Sequence, residues 1–171
     1  MTKIQKRPDF VYLLFLFAVG SIVGWCLEVV YRSIVSGCII IPGFLLGPYC
    51  PIYGFGFVIC KLIFRQERGL LSFAIMVALT SLLEYFASVL LESAFHVLLW
   101  DYSMLPFSIG TRVNLIFSII WGLIGLLALK VEEPRLQKAF AAHVKPMRIF
   151  SYAALLVILA DALISITIHL I

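Results

Sequence analysis

Long hydrophobic runs separated by short charged segments form the dominant pattern along the chain. A helix needs about 20 apolar residues, each rising about 1.5 Å, to cross the hydrocarbon core of a bilayer. We predict five transmembrane helices, in segments 10–35, 52–64, 70–99, 112–129 and 147–171. The predicted fold class is therefore all-α: a polytopic membrane helix bundle with re-entrant or interfacial outer loops. It forms a single integral membrane domain over residues 1–171.

The composition supports a membrane protein. Hydrophobic residues make up 63% of the chain, charged residues 13%, and the mean hydropathy is +1.11. Soluble domains are about 45–50% apolar and about 25% charged. The first hydrophobic run is also much longer than the apolar region of a signal peptide, about 7–15 residues, and no small-residue cleavage site follows it. We therefore expect it to remain as the first transmembrane helix.

The positions of the basic residues orient the predicted helices. All but two of the 13 lysines and arginines lie before the first span, around the end of the second, or between the fourth and fifth. Basic residues concentrate in cytoplasmic segments, which accounts for the net charge of +4 without a nucleic-acid partner. We predict a multi-pass protein of the cytoplasmic (inner) membrane with a cytoplasmic N-terminus and an extracytoplasmic C-terminus. The two exceptions, Arg32 and Arg112, fall on the outer side.

Ionisable residues inside the spans fall in the outer third of the membrane when positions are counted along the helices. Such residues are costly at membrane depth and usually face a protein interior or a wet cavity. Several repeat at four-residue intervals, which places them on single helix faces. We predict one pocket, open to the outer face, around Glu28, Arg32, Glu84, Glu92, His96, Asp101 and Arg112. Asp161 in the last span lies near the depth of Glu84 but is not assigned to the pocket.

Two apolar segments between the spans, 42–54 and 100–110, are interrupted by proline and glycine and cannot be regular helices. Irregular backbone at membrane depth is tolerated only where protein or water surrounds it. We expect the first segment to pack against the outer ends of the first and third helices. The side chains that these segments add to the predicted pocket are Tyr49, Cys50, Tyr53, Trp100 and Tyr102.

The same charged residues allow a purely structural interpretation, in which Glu28 and Arg32 form an i,i+4 ion pair and Arg112 neutralises either Glu92 or Asp101. If a ligand binds instead, the net negative charge of the set favours a cationic or hydrogen-bonding one. We expect no cofactor or metal: Glu92 and His96 can present two ligands on one helix face, but no HExxH motif is present.

Two local features leave structural questions open. Cys38 and Cys50 both lie on the predicted outer side, so the sequence permits a disulfide between them but does not give the distance that would decide it. Gly20 and Gly24 form a GxxxG pattern, which favours close approach of another helix.

Several motifs resemble those of a known family. They include Gly-Pro-Tyr-Cys-Pro-Ile-Tyr-Gly from Gly47, Trp-Asp-Tyr-Ser from Trp100, and Gly-Trp-x-Leu-Glu-x-x-Tyr-Arg from Gly24. In these stretches the chain resembles the bacterial membrane proteins called the ABC-transporter type IV, or ABC-transporter permease, family. The similarity covers about residues 10–130, and the helix over 147–171 is additional to it. The resemblance implies a transport role without assigning a mechanism.

Three functions agree with these features. The first is a transport protein, either a permease or a substrate-binding membrane subunit, which takes energy from a partner ATPase or an ion gradient. The second is an intramembrane enzyme acting on a lipid or cell-envelope substrate at the outer face, and the third is a non-catalytic scaffold. We favour transport over catalysis. The expected partners are the lipid bilayer, an ATPase or other membrane subunit, and a second copy of the chain.

Overall fold

The structure is a computed structural model that describes residues 9–63, 69–131 and 135–170. Predictions about residues 1–8, 64–68, 132–134 and 171 lie outside the described residues. Within them the chain forms six α-helices and one short antiparallel hairpin. These elements are α1 Phe10–Ser36, α2 Pro51–Ile63, α3 Leu70–Phe95, β1 Ser108–Ile109, β2 Val113–Asn114, α4 Leu115–Val131, α5 Gln137–Ala142 and α6 Val144–Leu170.

The predicted all-α membrane bundle is confirmed. In the described part of the chain, α1, α3 and α6 are long and apolar enough to cross a membrane, and α2 and α4 are shorter apolar helices. Helix α2 lies between α1 on one side and α3 and α4 on the other, while α6 packs along α1. Contacts between successive helices show that the chain reverses direction from α1 through α4.

The reversals bring the C-terminal ends of α1, α3 and α6 together with the N-terminal ends of α2 and α4. We call this the loop end, and it carries the connecting segments 37–50 and 96–114. At the opposite end, the rings of Tyr12 and Phe15 on α1 pack against Phe140 of α5, with centroids 5.1 and 5.4 Å away. The ionisable residues of the predicted pocket therefore share the loop end.

Two helix boundaries at the loop end differ from the prediction by three or more residues, and α6 begins at Val144 rather than at residue 147. Helix α3 ends at Phe95 rather than residue 99, because His96 adopts a left-handed conformation (φ 56°) and its N–H bonds back to the carbonyl of Glu92. Helix α4 begins at Leu115 rather than residue 112, because the buried Asn114 caps it. The Asn114 side-chain oxygen accepts the N–H of the residue two positions on, at 2.9 Å.

Close contact between α1 and α2 depends on glycine, as the GxxxG pattern predicts. A Cβ atom at Gly24 would overlap the ring of Tyr53, and one at Gly54 would overlap Ser21. The missing side chains let the two helices approach closely enough for the Tyr53 ring to lie directly over α1. This contact fixes the position of the Tyr53 hydroxyl at the loop end.

The segment after α1 packs onto the bundle, as predicted, and also reaches α6. The indole N–H of Trp25 donates to the carbonyl of Pro42 at 3.1 Å. The Phe44 ring lies between Phe95 of α3 and His169 of α6, with centroids 5.1 and 4.4 Å away. The segment is therefore held by three helices rather than the two expected.

Candidate functional site

Glu84 lies on α3 and is 8% exposed. One carboxylate oxygen, Oε1, accepts a hydrogen bond from the hydroxyl of Tyr102 at 2.7 Å. Burial, followed by the nearby Glu84 charge, raises the pKa of the Tyr102 phenol, so this loop residue remains a donor. The other oxygen, Oε2, is buried and has no hydrogen-bond partner among the residues that the structure describes. Glu84 thus has unused capacity to accept a hydrogen bond or a positive charge.

Glu28 on α1 is fully occupied by two partners. Its Oε1 pairs with Arg32 at 3.0 Å, which confirms the predicted i,i+4 ion pair. Its Oε2 accepts a hydrogen bond from the hydroxyl of Tyr53 on α2, also at 3.0 Å. Arg32 additionally donates to the carbonyl of Leu99, 3.0 Å away, and so links α1 to the segment after α3. Glu28 and Glu84 are close enough for their charges to interact.

Arg112 joins the loop end to α3. Its guanidinium pairs with Glu92, which is one of the two partners considered from the sequence, and donates to Ser88 Oγ at 3.0 Å. The carbonyl of Arg112 accepts from the indole N–H of Trp100 at 3.0 Å. The Glu92 side chain is 46% exposed, so this ion pair lies nearer the periphery than Glu84.

Aromatic rings from α1, α2, α4 and the segment after α3 lie beside the buried Glu84 and the half-buried Glu28. Tyr102 stacks on Phe117 of α4 with centroids 5.1 Å apart, and Tyr31 of α1 meets the same ring edge-on at 5.5 Å. Tyr53 packs against Trp121 of α4 at 5.0 Å. We call this group the carboxylate–aromatic cluster. Its members are Glu28, Tyr31, Tyr53, Glu84, Tyr102, Phe117 and Trp121.

Cys50 lies beside this cluster, whereas Tyr49 does not. Cys50 is half-buried, and burial, followed by the charge of Glu28, raises the pKa of its thiol to about 12. Tyr49 is buried on the side of α6, where its hydroxyl donates to Asp161 at 2.6 Å. Burial and this hydrogen bond raise the pKa of Tyr49 to about 12. Tyr49 therefore holds the segment in place rather than facing the two glutamates.

Asp161 anchors segment 37–50 to α6. Its carboxylate accepts the backbone N–H groups of Leu46 at 3.1 Å and Gly47 at 2.8 Å, in addition to Tyr49. Ser165, one turn further along α6, donates at 2.9 Å. Asp161 lies at the loop end, but nothing in the sequence indicated that its partners would come from residues 46–49.

The structure does not bring His96 and Asp101 into the cluster. His96 is exposed, because the left-handed turn that ends α3 carries it off the face that bears Glu84. Asp101 is exposed and accepts the backbone N–H of Ser103 at 2.8 Å, which lowers the pKa of its carboxyl. Both were expected to share one cavity with the glutamates. Instead, Asp101 stabilises a local turn of its own loop.

Two residues of α4 are important here although the predicted pocket omitted them, namely Phe117 and Trp121. Both lie in a mostly hydrophobic run, and nothing in the sequence distinguishes them there from lipid-facing residues. All four cysteines are free, so Cys38 and Cys50 form no disulfide. No group of three or more His, Cys, Asp or Glu side chains that could hold a metal ion occurs within the described residues.

Comparison with protein families gives one match. The model of the family described as "Putative ABC-transporter type IV" matches residues 15–166. The match thus extends into α6 and includes Asp161, beyond the stretch 10–130 that carried the resemblance in the sequence. Searches of curated proteins and of solved structures found no significant match.

Proposed function

Since this chain belongs to the Putative ABC-transporter type IV family, we propose that it is the membrane subunit of a transport system. The carboxylate–aromatic cluster is its solute-binding site. The observation that carries this proposal is Glu84: a carboxylate 8% exposed, on an apolar helix, with one oxygen lacking a hydrogen-bond partner among the described residues.

The energetic cost of Glu84 argues against a purely structural role. A carboxylate at the centre of a transmembrane helix costs about 2.5–3.5 kcal/mol on insertion scales. A structural carboxylate offsets this cost by accepting several hydrogen bonds, as Asp161 does. Glu84 has a single phenolic donor from Tyr102. A bound solute that completes its partners accounts for the arrangement.

The loop end faces the outside of the cell in this proposal. Apart from Arg32 and Arg112, the lysines and arginines precede α1 in the sequence or fall near the helix ends opposite the loop end. Basic residues of this kind concentrate on the cytoplasmic side. A partner ATPase would dock at the opposite end. There Arg135, which precedes α5, and Lys138, within α5, are exposed. Phe140 of the same helix is buried against α1.

Thiol labelling of Cys50 tests whether the site opens to the outside. A variant that retains only Cys50 is compared with one that retains only Cys60, which is 2% exposed and packed beside Met76. An impermeant maleimide is added to intact cells, and labelling is followed to completion because the raised pKa slows the Cys50 thiol. We expect Cys50 to become labelled and Cys60 to remain unlabelled.

The other outcomes identify the alternatives. Labelling of Cys50 only after permeabilisation would reverse the proposed orientation, and no labelling under any condition would favour a closed scaffold. An intramembrane enzyme would also expose Cys50, but purified protein would then convert a lipid substrate in detergent without ATP or an ion gradient.

A further inference from the structure

Resting on the proposed function, we propose that the transported solute is an organic monocation with an alkylated ammonium group. The ammonium charge lies against Glu84, and its alkyl groups contact the aromatic faces of the carboxylate–aromatic cluster. Three features of the site lead to this class of solute: its charge balance, the chemistry of its walls, and the number of oxygen atoms that it offers.

The charge balance leaves one negative charge unmatched. Glu28 pairs with Arg32, and Glu92 pairs with Arg112. Glu84 contacts a neutral phenol and has no cationic partner among the described residues. When Glu84 is ionised, a single positive charge on the solute therefore neutralises the site. An anionic solute would meet two nearby carboxylates, Glu84 and Glu28.

The walls of the site suit an alkylated ammonium group. The Tyr102 and Phe117 rings stack on each other with an interplanar angle of 16°, so a cation would contact their outer faces, and Tyr53 of α2 packs against Trp121 of α4. An aromatic face attracts a cation through its quadrupole, by about 0.5–1 kcal/mol when exposed and about 2 kcal/mol or more when desolvated. Trp gives the strongest attraction and Tyr follows. Rings of this kind offer alkyl groups apolar contact at the same time.

The oxygen count disfavours a metal ion. Calcium takes six to eight oxygen ligands, and magnesium requires near-octahedral coordination. Among the described residues of the cluster, Glu84 Oε2 is the one buried carboxylate oxygen without a partner that a metal ion could use. Each oxygen of Glu28 already has a partner. A quaternary ammonium group donates no conventional hydrogen bonds, so one carboxylate and several rings satisfy it.

The test compares a cation with an uncharged molecule of the same shape. Choline and 3,3-dimethylbutan-1-ol differ in a nitrogen that is replaced by carbon, which removes the charge and keeps the methyl groups. Binding of each to the purified full-length chain is measured by equilibrium dialysis, with tetramethylammonium as a second cation. We expect choline and tetramethylammonium to bind at least about tenfold more tightly than the neutral alcohol.

Variants locate the binding site. Glu84→Gln keeps the side-chain shape and removes the charge, so the preference for choline over the neutral alcohol should be lost. Phe117→Leu removes one ring and should reduce choline affinity several-fold. Phe95→Leu is the matched control, because Phe95 is an aromatic residue of the loop end that packs on Phe44, outside the cluster. Choline binding by this control should be unchanged.

Each outcome bears on the inference. Equal affinity for choline and the neutral alcohol, or an unchanged preference in a folded Glu84→Gln protein, would overturn it. Folding is checked independently by gel filtration and by the helical circular dichroism signal. If Cys50 is labelled from outside but choline neither binds nor protects it, the transport site stands and the cationic solute is wrong. If Cys50 is never labelled, the proposed function itself fails.

Discussion

Two buried carboxylates at the loop end have the same exposure and very different surroundings. Asp161 and Glu84 are each 8% exposed. Asp161 accepts hydrogen bonds from two backbone N–H groups, a phenol and a serine hydroxyl. Glu84 accepts one, from Tyr102. Burial alone therefore does not separate these two carboxylates, whereas the number of donors directed at each one does.

The difference follows from what each residue joins. Asp161 binds backbone N–H groups of an irregular segment, which would otherwise be unpaired inside the bundle. Glu84 lies between regular helices whose backbone groups are already paired, and its neighbours are mostly aromatic side chains. A carboxylate in such a place is left with capacity that a ligand, a water molecule or a proton can use.

Replacing Asp161 should give the largest loss of stability. Asp161→Ala leaves the N–H groups of Leu46 and Gly47 and the hydroxyl of Tyr49 without their acceptor. The Tyr49 hydroxyl bond is buried and the two N–H bonds are part-buried, so each loss is taken at about 1 kcal/mol and we expect a total of roughly 3 kcal/mol. Unfolding in SDS, followed by tryptophan fluorescence, measures the change. Tyr49→Phe removes a single donor and should cost about 1 kcal/mol; a loss as small for Asp161→Ala would remove the contrast with Glu84.

Filling the space over Gly24 should give the next largest loss of stability. Gly24→Ala places a methyl group where the Tyr53 ring lies, and overpacking of this kind costs about 1–3 kcal/mol. The displaced Tyr53 hydroxyl would also leave Glu28. Gly56→Ala is the matched control on α2, since its methyl group would meet only Leu83 at an ordinary distance of 3.7 Å. The same SDS unfolding assay should separate the two variants, and equal stabilities would contradict the close helix contact.

The helices and the charged residues of the loop end could be predicted from the sequence, because both depend on the spacing of nearby residues. Run length fixes a membrane helix, and a four-residue spacing fixes a helix face, so Glu28 and Arg32 were paired correctly. Asp161 could not be matched to Leu46, 115 residues away, because an irregular segment has no periodicity from which to infer its direction.

The end of α3 was missed for a different reason. A left-handed residue that ends a helix is usually glycine or asparagine, and the sequence offers His96 there within a continuous apolar run. Extending the helix to residue 99 kept His96 on the face of Glu84 and produced a pocket that was too large. In the structure Glu84 is buried and Glu28 is half-buried, whereas His96 is exposed and lies outside the carboxylate–aromatic cluster.

A carboxylate that pairs with one arginine should affect stability more than Glu84 and less than Asp161. Glu92 is half-exposed and pairs with Arg112, so water screens the interaction and its net contribution is about 1 kcal/mol or less. A double-mutant cycle with Glu92→Gln and Arg112→Gln measures the coupling from SDS unfolding. The coupling should also weaken as salt is raised. A coupling above about 3 kcal/mol would mean that Glu92 is as strongly held as Asp161.

Neutralising Glu84 should give the smallest change in stability. Glu84→Gln keeps an amide oxygen that can accept from the Tyr102 hydroxyl, and it removes a buried charge that has no arginine partner among the described residues. The lost charge-assisted hydrogen bond and the relieved desolvation cost oppose each other, so we expect a net change within about 1 kcal/mol. Asp161→Asn, the matched substitution at equal burial, should cost more because four donors lose the charge. SDS unfolding of both variants gives the comparison directly. If Glu84→Gln were the more damaging of the two, Glu84 would be the structural acid, and the assignment of the two carboxylates would have to be exchanged.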